Sequence, residues 1–553
     1  MKKTFFSLFS FFFLLFSLSS LSFFDDFEDP AVLARSIVNE MSNDQALAQC
    51  FMLAWVGAEP SPLILNWIRD RNIGGVKIFG WNTDDTRLLA RTVGVLQEQA
   101  LSTTFSIPLF VATDKEGGIV RHVKGATSET PGNMAIGASG FPIDAYRSGL
   151  YIGRELALLG VNMNFAPAVD LFTSRDSLLI GPRSFGNDPI QTGILGAAFA
   201  RGLEVSGVIP TVKHFPGHGA TALDSHGVLP RINIPFETLW ERELIPYRFM
   251  INEGVPAIMS GHLAFPNTPG GAVPASLSPW FLQDLLREYM GFQGLIITDD
   301  LMMNGALIHA GAVSRAAREA ILAGNDIIMF SQTHNLNDPV WTSLAESMRN
   351  DPIFASRVRE SARRVVETKI RYLRVENAVP VIPDLNKVDE GIQDPQAAAF
   401  FLDLAARSVT IAKNLNSRGE PVFPLIPGNA GRVLLAGRYN DFFDSGARAF
   451  PGAQVFRTNG ASVANLINAA QSVDTVIFCL SDAAEMRLLQ NLNGLGKRII
   501  VFSILSPVHI EQVLWADGIL AVYSYAPESF VAGFSAILGR IHAGGQLPFS
   551  LNP

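Results

Sequence analysis

The densest concentration of chemically useful side chains lies at residues 213–226, which read KHFPGHGATALDSH. This segment holds a lysine, an aspartate and three of the nine histidines of the chain. Pro216, Gly217 and Gly219 exclude a regular helix, because proline removes a backbone donor and glycine disfavours helical structure. We therefore predict a loop whose polar side chains serve chemistry rather than folding. Imidazoles beside a carboxylate indicate acid–base catalysis near neutral pH.

Two other uses of these histidines are less favoured. His214 and His218 are four residues apart, but Pro216 and Gly217 prevent the helix that would align them as a zinc-binding pair. Imidazoles that only bridge loop carbonyls would give the histidines a purely structural role. We therefore predict acid–base chemistry on a bound substrate, with no metal and no cofactor.

Eight short apolar runs in the first two thirds of the chain are candidates for the strands that position this segment. Amphipathic stretches typical of helices separate them, for example residues 84–100 and 279–290. Strands that alternate with helices pair in parallel, and eight such units in about 300 residues favour a (β/α)8 barrel. The pattern alone does not exclude an open doubly wound sheet. The runs are Cys50–Val56, Val76–Phe79, Leu109–Thr113, Met163–Pro167, Ile209–His214, Ala257–His262, Leu295–Asp299 and Asp326–Phe330.

Ionisable residues stand at the ends of five of these runs. In a barrel the C-terminal ends of the strands face one mouth, where functional side chains collect. A single strand-end aspartate is a weak signal, since it often only caps the following helix. The set together predicts one site, and its members are Asp114, Asp170, Lys213, His214, His262, Asp299 and Asp300.

The rest of the chain predicts three further segments. Residues 1–24 combine two lysines, an uncharged stretch of Phe, Leu and Ser, and a polar exit, which is typical of an export signal. An uncleaved membrane anchor is the alternative for this segment. The barrel then spans residues 30–375, and a linker rich in Pro, Asn and Asp spans 376–394. Residues 395–553 predict a smaller α/β domain with a mostly parallel sheet, from runs at Arg432–Ala436, Thr475–Leu480, Ile499–Ile504 and Leu520–Tyr525.

Composition excludes some classes of partner. With 48% apolar and 17% charged residues, the chain is typical of a globular protein with a large core. The net charge of −8 and the scattered basic residues argue against a nucleic-acid partner. The export signal predicts a periplasmic or extracellular protein, whose only membrane contact would be an uncleaved N-terminal segment. The oligomeric state is not indicated.

Four motifs, in order along the chain, resemble glycoside hydrolase family 3 in its β-N-acetylglucosaminidase branch. The resemblance covers residues 30–375, and the second domain is similar to the α/β domain of longer members. The histidine-containing motif is the most specific of the four. The motifs are DKEGG at 114–118, IGPRSFG at 180–186, KHFPGHG at 213–219 with DSH at 224–226, and TDDLM at 298–302.

This resemblance implies an exo-acting, retaining glycosidase that removes terminal β-linked N-acetylglucosamine from cell-wall or chitin-type oligosaccharides. Asp299 would be the carboxylate nucleophile, and His226 the general acid and base, oriented by Asp224. Asp114, Arg183, Lys213 and His214 would hold the terminal sugar through its hydroxyl groups. Such an enzyme needs one group that attacks the anomeric carbon and one that protonates the leaving oxygen.

Two positions depart from the family pattern. His122 stands where the family usually has an arginine, so His122 is a candidate substrate contact whose effect on sugar preference is open. Arg121 is beside it, but adjacent residues of a strand point to opposite faces. Lys115 stands where glutamine is common.

Three alternative functions remain. A neutral imidazole would not repel phosphate as a carboxylate base would, so phosphorolysis is a rival to hydrolysis. A β-glucosidase or β-xylosidase of the same family is less favoured, because the DSH element marks the hexosaminidase branch. A catalytically dead, peptidoglycan-binding barrel is the non-enzymatic alternative, since a fold alone does not guarantee activity.

Overall fold

The computed structural model describes residues 21–26 and 29–550. The N-terminal part contains ten strands, of which eight form a closed parallel barrel in the order β1-β10-β9-β8-β7-β6-β3-β2. Each of the eight predicted apolar runs contains or overlaps one of these barrel strands, so the barrel prediction is confirmed. The strands are β1 Phe51–Ala54, β2 Gly75–Lys77, β3 Phe110–Thr113, β4 Lys115–Gly117, β5 Val120–Arg121, β6 Met163–Asn164, β7 Ile209–Phe215, β8 Ala257–Ser260, β9 Leu295–Asp300 and β10 Ile327–Phe330.

Helices surround the barrel, as the alternating pattern predicts. They are α1 Pro30–Glu40, α2 Asn43–Gln49, α3 Pro62–Asn66, α4 Thr86–Leu101, α5 Asn133–Ser139, α6 Pro142–Leu158, α7 Pro189–Val205, α8 Phe236–Thr238, α9 Ile245–Asn252, α10 Asn304–Ala310, α11 Val313–Ala323, α12 Pro339–Asn350 and α13 Pro352–Leu373. Several begin at an Asp-Pro pair, for example at Asp188, Asp338 and Asp351. There the aspartate carboxylate accepts hydrogen bonds from backbone N–H groups of the first turn, and the φ angle of the proline is already close to the helical value.

Two local features of the barrel differ from the prediction. Lys213 and His214 end the predicted run Ile209–His214 and lie in β7, so the loop begins later than residue 213, after the strand has continued to Phe215. β4 and β5 form a short antiparallel hairpin beyond β3, which the apolar pattern did not indicate. This hairpin carries the DKEGG motif back over the mouth of the barrel.

The second domain contains a six-stranded sheet in the order β11-β16-β15-β14-β12-β13. Only β11 is antiparallel, so the prediction of a mostly parallel sheet is confirmed. The sequence pattern missed β11 and β13, the two edge strands. The strands are β11 Thr410–Lys413, β12 Val433–Gly437, β13 Gln454–Arg457, β14 Thr475–Leu480, β15 Arg498–Ser503 and β16 Gly518–Ala521. The helices are α14 Leu385–Gly391, α15 Pro395–Ser408, α16 Pro427–Ala430, α17 Asn440–Ala449, α18 Val463–Gln471, α19 Ala483–Leu489 and α20 Pro527–Ile537.

The segment predicted as a linker, 376–394, contains a helix. In α14, Val388 is buried and Asp384 caps the first turn, and the helix packs against α4 and α6 of the barrel. The helix is only seven residues long, which is too short for an apolar period to stand out. The segment therefore covers the barrel surface instead of running between two separate bodies.

The two domains share apolar contacts. Met134, Ala135 and Ala138 of the barrel domain lie in the same buried cluster as β14 and β15. The rings of Phe172 and Phe549 meet edge to face at 5.1 Å. This interface holds the second domain against one side of the barrel.

The predicted export signal lies mostly outside the described residues. Within its C-terminal end, Phe23 is fully buried, and its N–H donates to the carbonyl of Phe105. A boundary after residue 24 would therefore remove a side chain that packs in the barrel core. Within residues 21–26 and 29–550, no helix has the length and apolar character needed to cross a membrane.

Candidate active site

The barrel strands open into a cavity of about 210 Å³ at their C-terminal ends. Eight residues are predicted to be catalytic or to contact the substrate, and seven of them line this cavity. The eighth, Asp224, is hydrogen-bonded to His226, which is one of the seven. Apolar side chains complete the wall. The candidates in the wall are Asp114, His122, Arg183, Lys213, His214, His226 and Asp299, and the apolar residues include Phe79, Leu179, Met259, Met303 and Met329.

Asp299 lies near the end of β9 and faces this cavity. Burial alone would raise the pKa of Asp299, but electrostatic interactions with His214, His262 and Lys213 and a hydrogen bond from the Asp300 N–H lower it overall. The N–H donates to Asp299 Oδ1 at 2.8 Å. Asp299 is therefore an ionised carboxylate at neutral pH, half-buried at the cavity wall.

Asp300, the second residue of the pair, has a different environment. One of its carboxylate oxygens accepts hydrogen bonds from the N–H groups of Met302 and Ser331, both at 3.0 Å. Burial, together with the neighbouring charge of Asp299, raises the pKa of Asp300. His262 donates from Nε2 to the Asp300 carbonyl at 2.9 Å. These bonds fix the turn after β9 and so fix where Asp299 points.

His226 lies on the loop after β7 and pairs with Asp224. Asp224 Oδ1 accepts from His226 Nδ1 at 2.7 Å and from the His226 N–H at 2.9 Å. Burial would raise the pKa of Asp224, but these two hydrogen bonds lower it. Because an ionised carboxylate only accepts, the proton on the imidazole ring is on Nδ1 and Nε2 is left for the cavity.

The loop that carries His226 is hydrogen-bonded to the first residues of α10, the helix that follows β9. The Gly305 N–H, in α10, donates to the Ser225 carbonyl at 2.9 Å. Asn304 approaches the His226 carbonyl through its own N–H at 3.4 Å. The His226 side chain is still 70% exposed. The loop is thus docked beside Asp299 by its backbone, while the imidazole stays accessible.

A buried ion network forms another wall of the cavity. Arg183 makes two hydrogen bonds to the Glu116 carboxylate, at 2.9 and 2.7 Å. Lys213 Nζ contacts Glu116 at 2.6 Å and also pairs with Asp114. Burial disfavours the charge on Lys213, but the two carboxylates raise its pKa. Asp114, Arg183 and Lys213 line the space in which a substrate would lie, and Glu116 is buried behind them.

His214 is held by a second carboxylate. Asp170 Oδ2 accepts from His214 Nδ1 at 2.7 Å, and Asp170 Oδ1 accepts from the His218 N–H at 2.7 Å. Arg183 Nη2 lies 3.3 Å from His214 Nε2 and can only donate to it. Asp170 therefore orients His214 and the start of the loop, although Asp170 is not in the cavity wall.

The two departures from the family pattern have different surroundings. His122 lines the cavity and lies against Asp114 and the buried Lys77. Arg121 points away and pairs with Glu129. Lys115 forms a buried pair with Glu155 at 2.7 Å. Neither Arg121 nor Lys115 lines the cavity, so only His122 is placed to contact a substrate.

A larger cavity in the described part of the chain does not offer this chemistry. It has a volume of about 590 Å³ and lies between α6 and residues 380–397, and none of the candidate residues lines it. Among the described residues, no group of three or more His, Cys, Asp or Glu side chains is arranged to hold a metal ion. The smaller cavity at the barrel mouth is therefore the candidate active site.

Comparison with known proteins decides the family. Residues 44–368 match the glycosyl hydrolase family 3 N terminal domain. The chain belongs to glycoside hydrolase family 3. It is 31% identical to a β-hexosaminidase A of Pseudoalteromonas piscicida, over 89% of this chain and 91% of that protein. It is 29% identical to a β-N-acetylglucosaminidase/β-glucosidase of Cellulomonas fimi, over 77% of this chain and 73% of that protein.

A solved structure shares the whole architecture. It is a family 3 β-N-acetylglucosaminidase from Paenibacillus sp. str. FPU-7, with a TM-score of 0.83 and 27% identity. The match covers 92% of this chain and 99% of that one. This protein is thus a glycoside hydrolase that acts on a carbohydrate, with a barrel and a second α/β domain.

Sequence reasoning missed two ionic residues of this family 3 enzyme. Glu116 is in the DKEGG motif, but only the structure shows that it joins Arg183 to Lys213. Lys77 is the only charged residue of the second apolar run, Val76–Phe79, and that isolated charge is the signal that could have found it. A lysine in a buried strand requires polar or charged partners. Near the C-terminal end of a barrel strand, such partners lie at the mouth of the barrel.

Proposed function

We propose that this family 3 enzyme is an exo-acting, retaining β-N-acetylglucosaminidase. It hydrolyses terminal β-linked N-acetylglucosamine from cell-wall or chitin-type oligosaccharides, including muropeptides released in peptidoglycan turnover. The observation that carries the proposal is the Asp224–His226 pair, which borders the same cavity as the ionised Asp299. The names of the similar proteins support the same specificity.

The proposed reaction has two steps. The Asp299 carboxylate attacks the anomeric carbon, while the protonated His226 gives its Nε2 proton to the leaving oxygen and the glycosidic bond breaks. Water then attacks the aspartyl–sugar ester. His226, now neutral, takes the proton of that water, and the Asp299–sugar bond breaks. The sugar leaves with the configuration it had in the substrate.

Binding of the terminal sugar is assigned to the ionic wall. Asp114 would accept from sugar hydroxyl groups, while Arg183, Lys213, His214 and His122 would contact the remaining oxygens. The cavity of about 210 Å³ is smaller than the roughly 300–1,000 Å³ typical of drug-sized ligands, which favours a single terminal sugar ring. That size supports exo action.

The location is part of the proposal. Residues 1–24 would direct export to the periplasm or the outside of the cell, where such polymers occur. Retention through an uncleaved N-terminal segment is the alternative.

One experiment tests the specificity and separates the main rivals. The wild-type enzyme is assayed on aryl β-N-acetylglucosaminide and on aryl β-glucoside, each with and without inorganic phosphate. We expect the N-acetylglucosaminide to be preferred and its turnover to be independent of phosphate. Preference for the glucoside would contradict the proposal. A requirement for phosphate, with a sugar 1-phosphate as product, would establish phosphorolysis, which is the second candidate because the proposed base, His226, is an imidazole that would not repel phosphate.

A mechanism-based fluorosugar tests whether the site is catalytically active. It should form a stable ester on Asp299, detected by mass spectrometry of the peptide that contains β9. Strong sugar binding without labelling would instead support the dead, peptidoglycan-binding alternative.

A further inference from the structure

Lys77 is a fully buried lysine behind the cavity wall, in contact with the wall residues Asp114 and His122, and no motif of the sequence includes it. Its side chain is fully buried at the end of β2, beside Asp114. Burying an ammonium group costs several kcal/mol unless partners compensate for the lost water. Burial lowers the pKa of Lys77, whereas the Asp114 carboxylate, whose Oδ2 lies 2.7 Å from Nζ, opposes that shift and favours the ammonium form.

The three N–H bonds of Lys77 are all used. Nζ lies 2.8 Å from the Ile78 carbonyl, 2.7 Å from Asp114 Oδ2 and 3.2 Å from His122 Nδ1. A lysine ammonium has three donors and no acceptor. His122 Nδ1 must therefore accept, which means that it carries no proton.

One competing contact has to be weighed. Asp114 Oδ2 lies 3.4 Å from His122 Nδ1, and alone it would favour a proton on that nitrogen. This distance is too long for a strong hydrogen bond, and Asp114 Oδ2 already accepts from Lys77 at 2.7 Å. Of the charged groups around His122, Lys77 and Lys213 lower its pKa, and Asp114 and Glu116 raise it. Burial, then Lys77, lower the pKa of His122 to about 4, so the ring is not doubly protonated at neutral pH.

The position of the His122 ring is also restrained. The backbone of His122 is fixed at both polar groups. Its backbone N–H donates to the Asp114 carbonyl at 2.7 Å, and its backbone carbonyl accepts from Thr83 Oγ1 at 2.6 Å. The ring packs against Phe79 with centroids 5.2 Å apart. In the described part of the chain, no hydrogen bond is made to His122 Nε2, and the residue lines the cavity. Nε2–H is therefore the one polar group of this ring available to a sugar.

We infer that Lys77 is a positioning residue that holds His122 as a neutral Nε2–H donor toward the bound sugar and makes His122 a determinant of sugar specificity. The inference rests on the proposed function for its substrate. A neutral donor recognises a hydroxyl or an acetamido oxygen, whereas a cation at this position would also attract anionic sugars. At this position the positive charge is therefore on Lys77, which is buried behind His122 and pairs with Asp114.

The first measurement needs no substrate. The ring nitrogens of ¹⁵N-histidine-labelled enzyme are followed by NMR across pH, with His122 assigned from the His122→Gln variant. We expect His122 to be neutral at pH 7 with the proton on Nε2. In Lys77→Met the ring should titrate at higher pH, because a nearby cation is lost and Asp114 remains. A wild-type His122 protonated on Nδ1 would overturn the inference, even if Lys77→Met did not fold.

The second measurement is a double-mutant cycle on aryl β-N-acetylglucosaminide. Lys77→Met removes a hydrogen bond that involves a charged group. We therefore expect kcat/KM to fall by about 10- to 100-fold, mainly because KM rises. Lys77→Arg should recover most of this loss. In the His122→Gln background, Lys77→Met should cost much less, since an amide N–H is a donor whatever lies beside it. Lys124→Met, at an exposed lysine of the same loop, is the control and should change nothing.

Two outcomes separate this inference from the proposed function. If the wild-type enzyme prefers another sugar, the cycle is run on that sugar, and the NMR result stands independently. If Lys77→Met folds with unchanged kcat/KM, or costs the same in both backgrounds, Lys77 does not act through His122.

Discussion

A single imidazole performs the proton transfer in the proposed reaction, where most glycosidases use a second carboxyl group. A carboxylic acid is protonated at neutral pH only if burial raises its pKa, so it must lie in an apolar pocket. Histidine titrates near neutrality without such help. This difference explains how His226 can serve from a loop position that is 70% exposed. Asp224 then supplies orientation, which an exposed loop would otherwise lack.

Replacement of His226 tests its role as the acid. His226→Ala should lose about 100- to 10,000-fold in kcat on substrates with a sugar leaving group, the range typical of general acid–base catalysis. Aryl substrates with acidic leaving groups should lose much less, because they need no protonation to depart. The measurement is kcat for a series of aryl glycosides plotted against leaving-group pKa. Equal losses across the series would show that His226 is not the acid.

Replacement of Asp299 tests the nucleophile. Asp299→Asn should reduce turnover by more than about 1,000-fold, since an amide cannot form the glycosyl ester. The circular dichroism spectrum and melting temperature should stay close to those of the wild type, because Asp299 faces the cavity rather than the core. Asp284→Asn, at an exposed aspartate, is the matched control. An Asp299→Asn protein that unfolds, or one that retains activity, would contradict the assignment.

At this scale the sequence predicts which residue types gather, but not which pairs they form. All the residues predicted to be catalytic or to bind the sugar line the cavity except Asp224, which is bonded to His226. Asp170 and His262, predicted from their strand ends, lie behind the wall and hold His214 and the Asp300 carbonyl.

The ion pairs that Glu116 makes with Lys213 and Arg183 form only when three separate elements meet in the fold. The spacing of these residues along the chain therefore does not predict the pairs. The partners of Lys77 follow β3 and β5, so spacing does not indicate them either, although the isolated charge of Lys77 in an apolar run marks the residue itself.

The elements of the barrel are held together at the end opposite the cavity by one buried carboxylate. Asp326, just before β10, is fully buried and contacts Arg287 at 2.6 Å and Arg357 at 3.0 Å, with Arg364 at 3.3 Å. It also accepts from the Ile296 N–H of β9 at 3.1 Å. Burial would raise the pKa of Asp326, but the arginines lower it to about 2. Asp326 thus joins two strands to the helices that cover them.

Removal of this charge should destabilise the barrel. Asp326→Asn leaves buried arginines without their anion, and breaking a buried pair in this way costs about 3–5 kcal/mol in the free energy of unfolding. Chemical denaturation at pH 7 measures the loss. The exposed pair of Asp70 with Arg69 provides the matched control, and Asp70→Asn should cause no measurable change.

The same variant has a defined dependence on pH. The folded pKa of Asp326, about 2, lies below its ordinary value of 3.8. Its stabilising contribution is therefore complete above pH 3.8 and lost as the pH falls toward 2. The difference in unfolding free energy between the wild type and Asp326→Asn should shrink over that window. A difference that stays constant with pH would show that the charge of Asp326 is not the cause.

Element prediction succeeded where apolar runs were long enough to show a period. All eight barrel strands coincide with such runs. β13 was missed because most of its residues are exposed, and α14 because seven residues are too few for a helical period. The hairpin β4–β5 was missed because its residues are polar and glycine-rich, as a hairpin over an active site requires.

At the scale of the whole molecule, the second domain supports the active site without entering it. None of its described residues lines the cavity. It does hold the loop of residues 173–183, which ends at the sugar-binding candidate Arg183. Glu511 pairs with Arg175, whose Nη2 also donates to the Ser550 carbonyl at 2.9 Å. A methyl group on Gly181 would lie 3.1 Å from the Ser506 side chain, so the two domains are in close contact there.

Loss of the Glu511 charge should therefore weaken substrate binding from a distance. In Glu511→Gln the loop loses one of its ties to the second domain, and Arg183 is held less firmly beside Glu116. We expect KM for aryl β-N-acetylglucosaminide to rise by about 3- to 10-fold, the scale of a salt bridge that is partly exposed, with a smaller change in kcat. Hydrogen exchange of residues 173–183 should become faster in the same protein. Glu420→Gln, at an exposed turn of the same domain, should leave both measurements unchanged. If Glu511→Gln also leaves both unchanged, the second domain does not position Arg183, and its contact with the barrel serves stability alone.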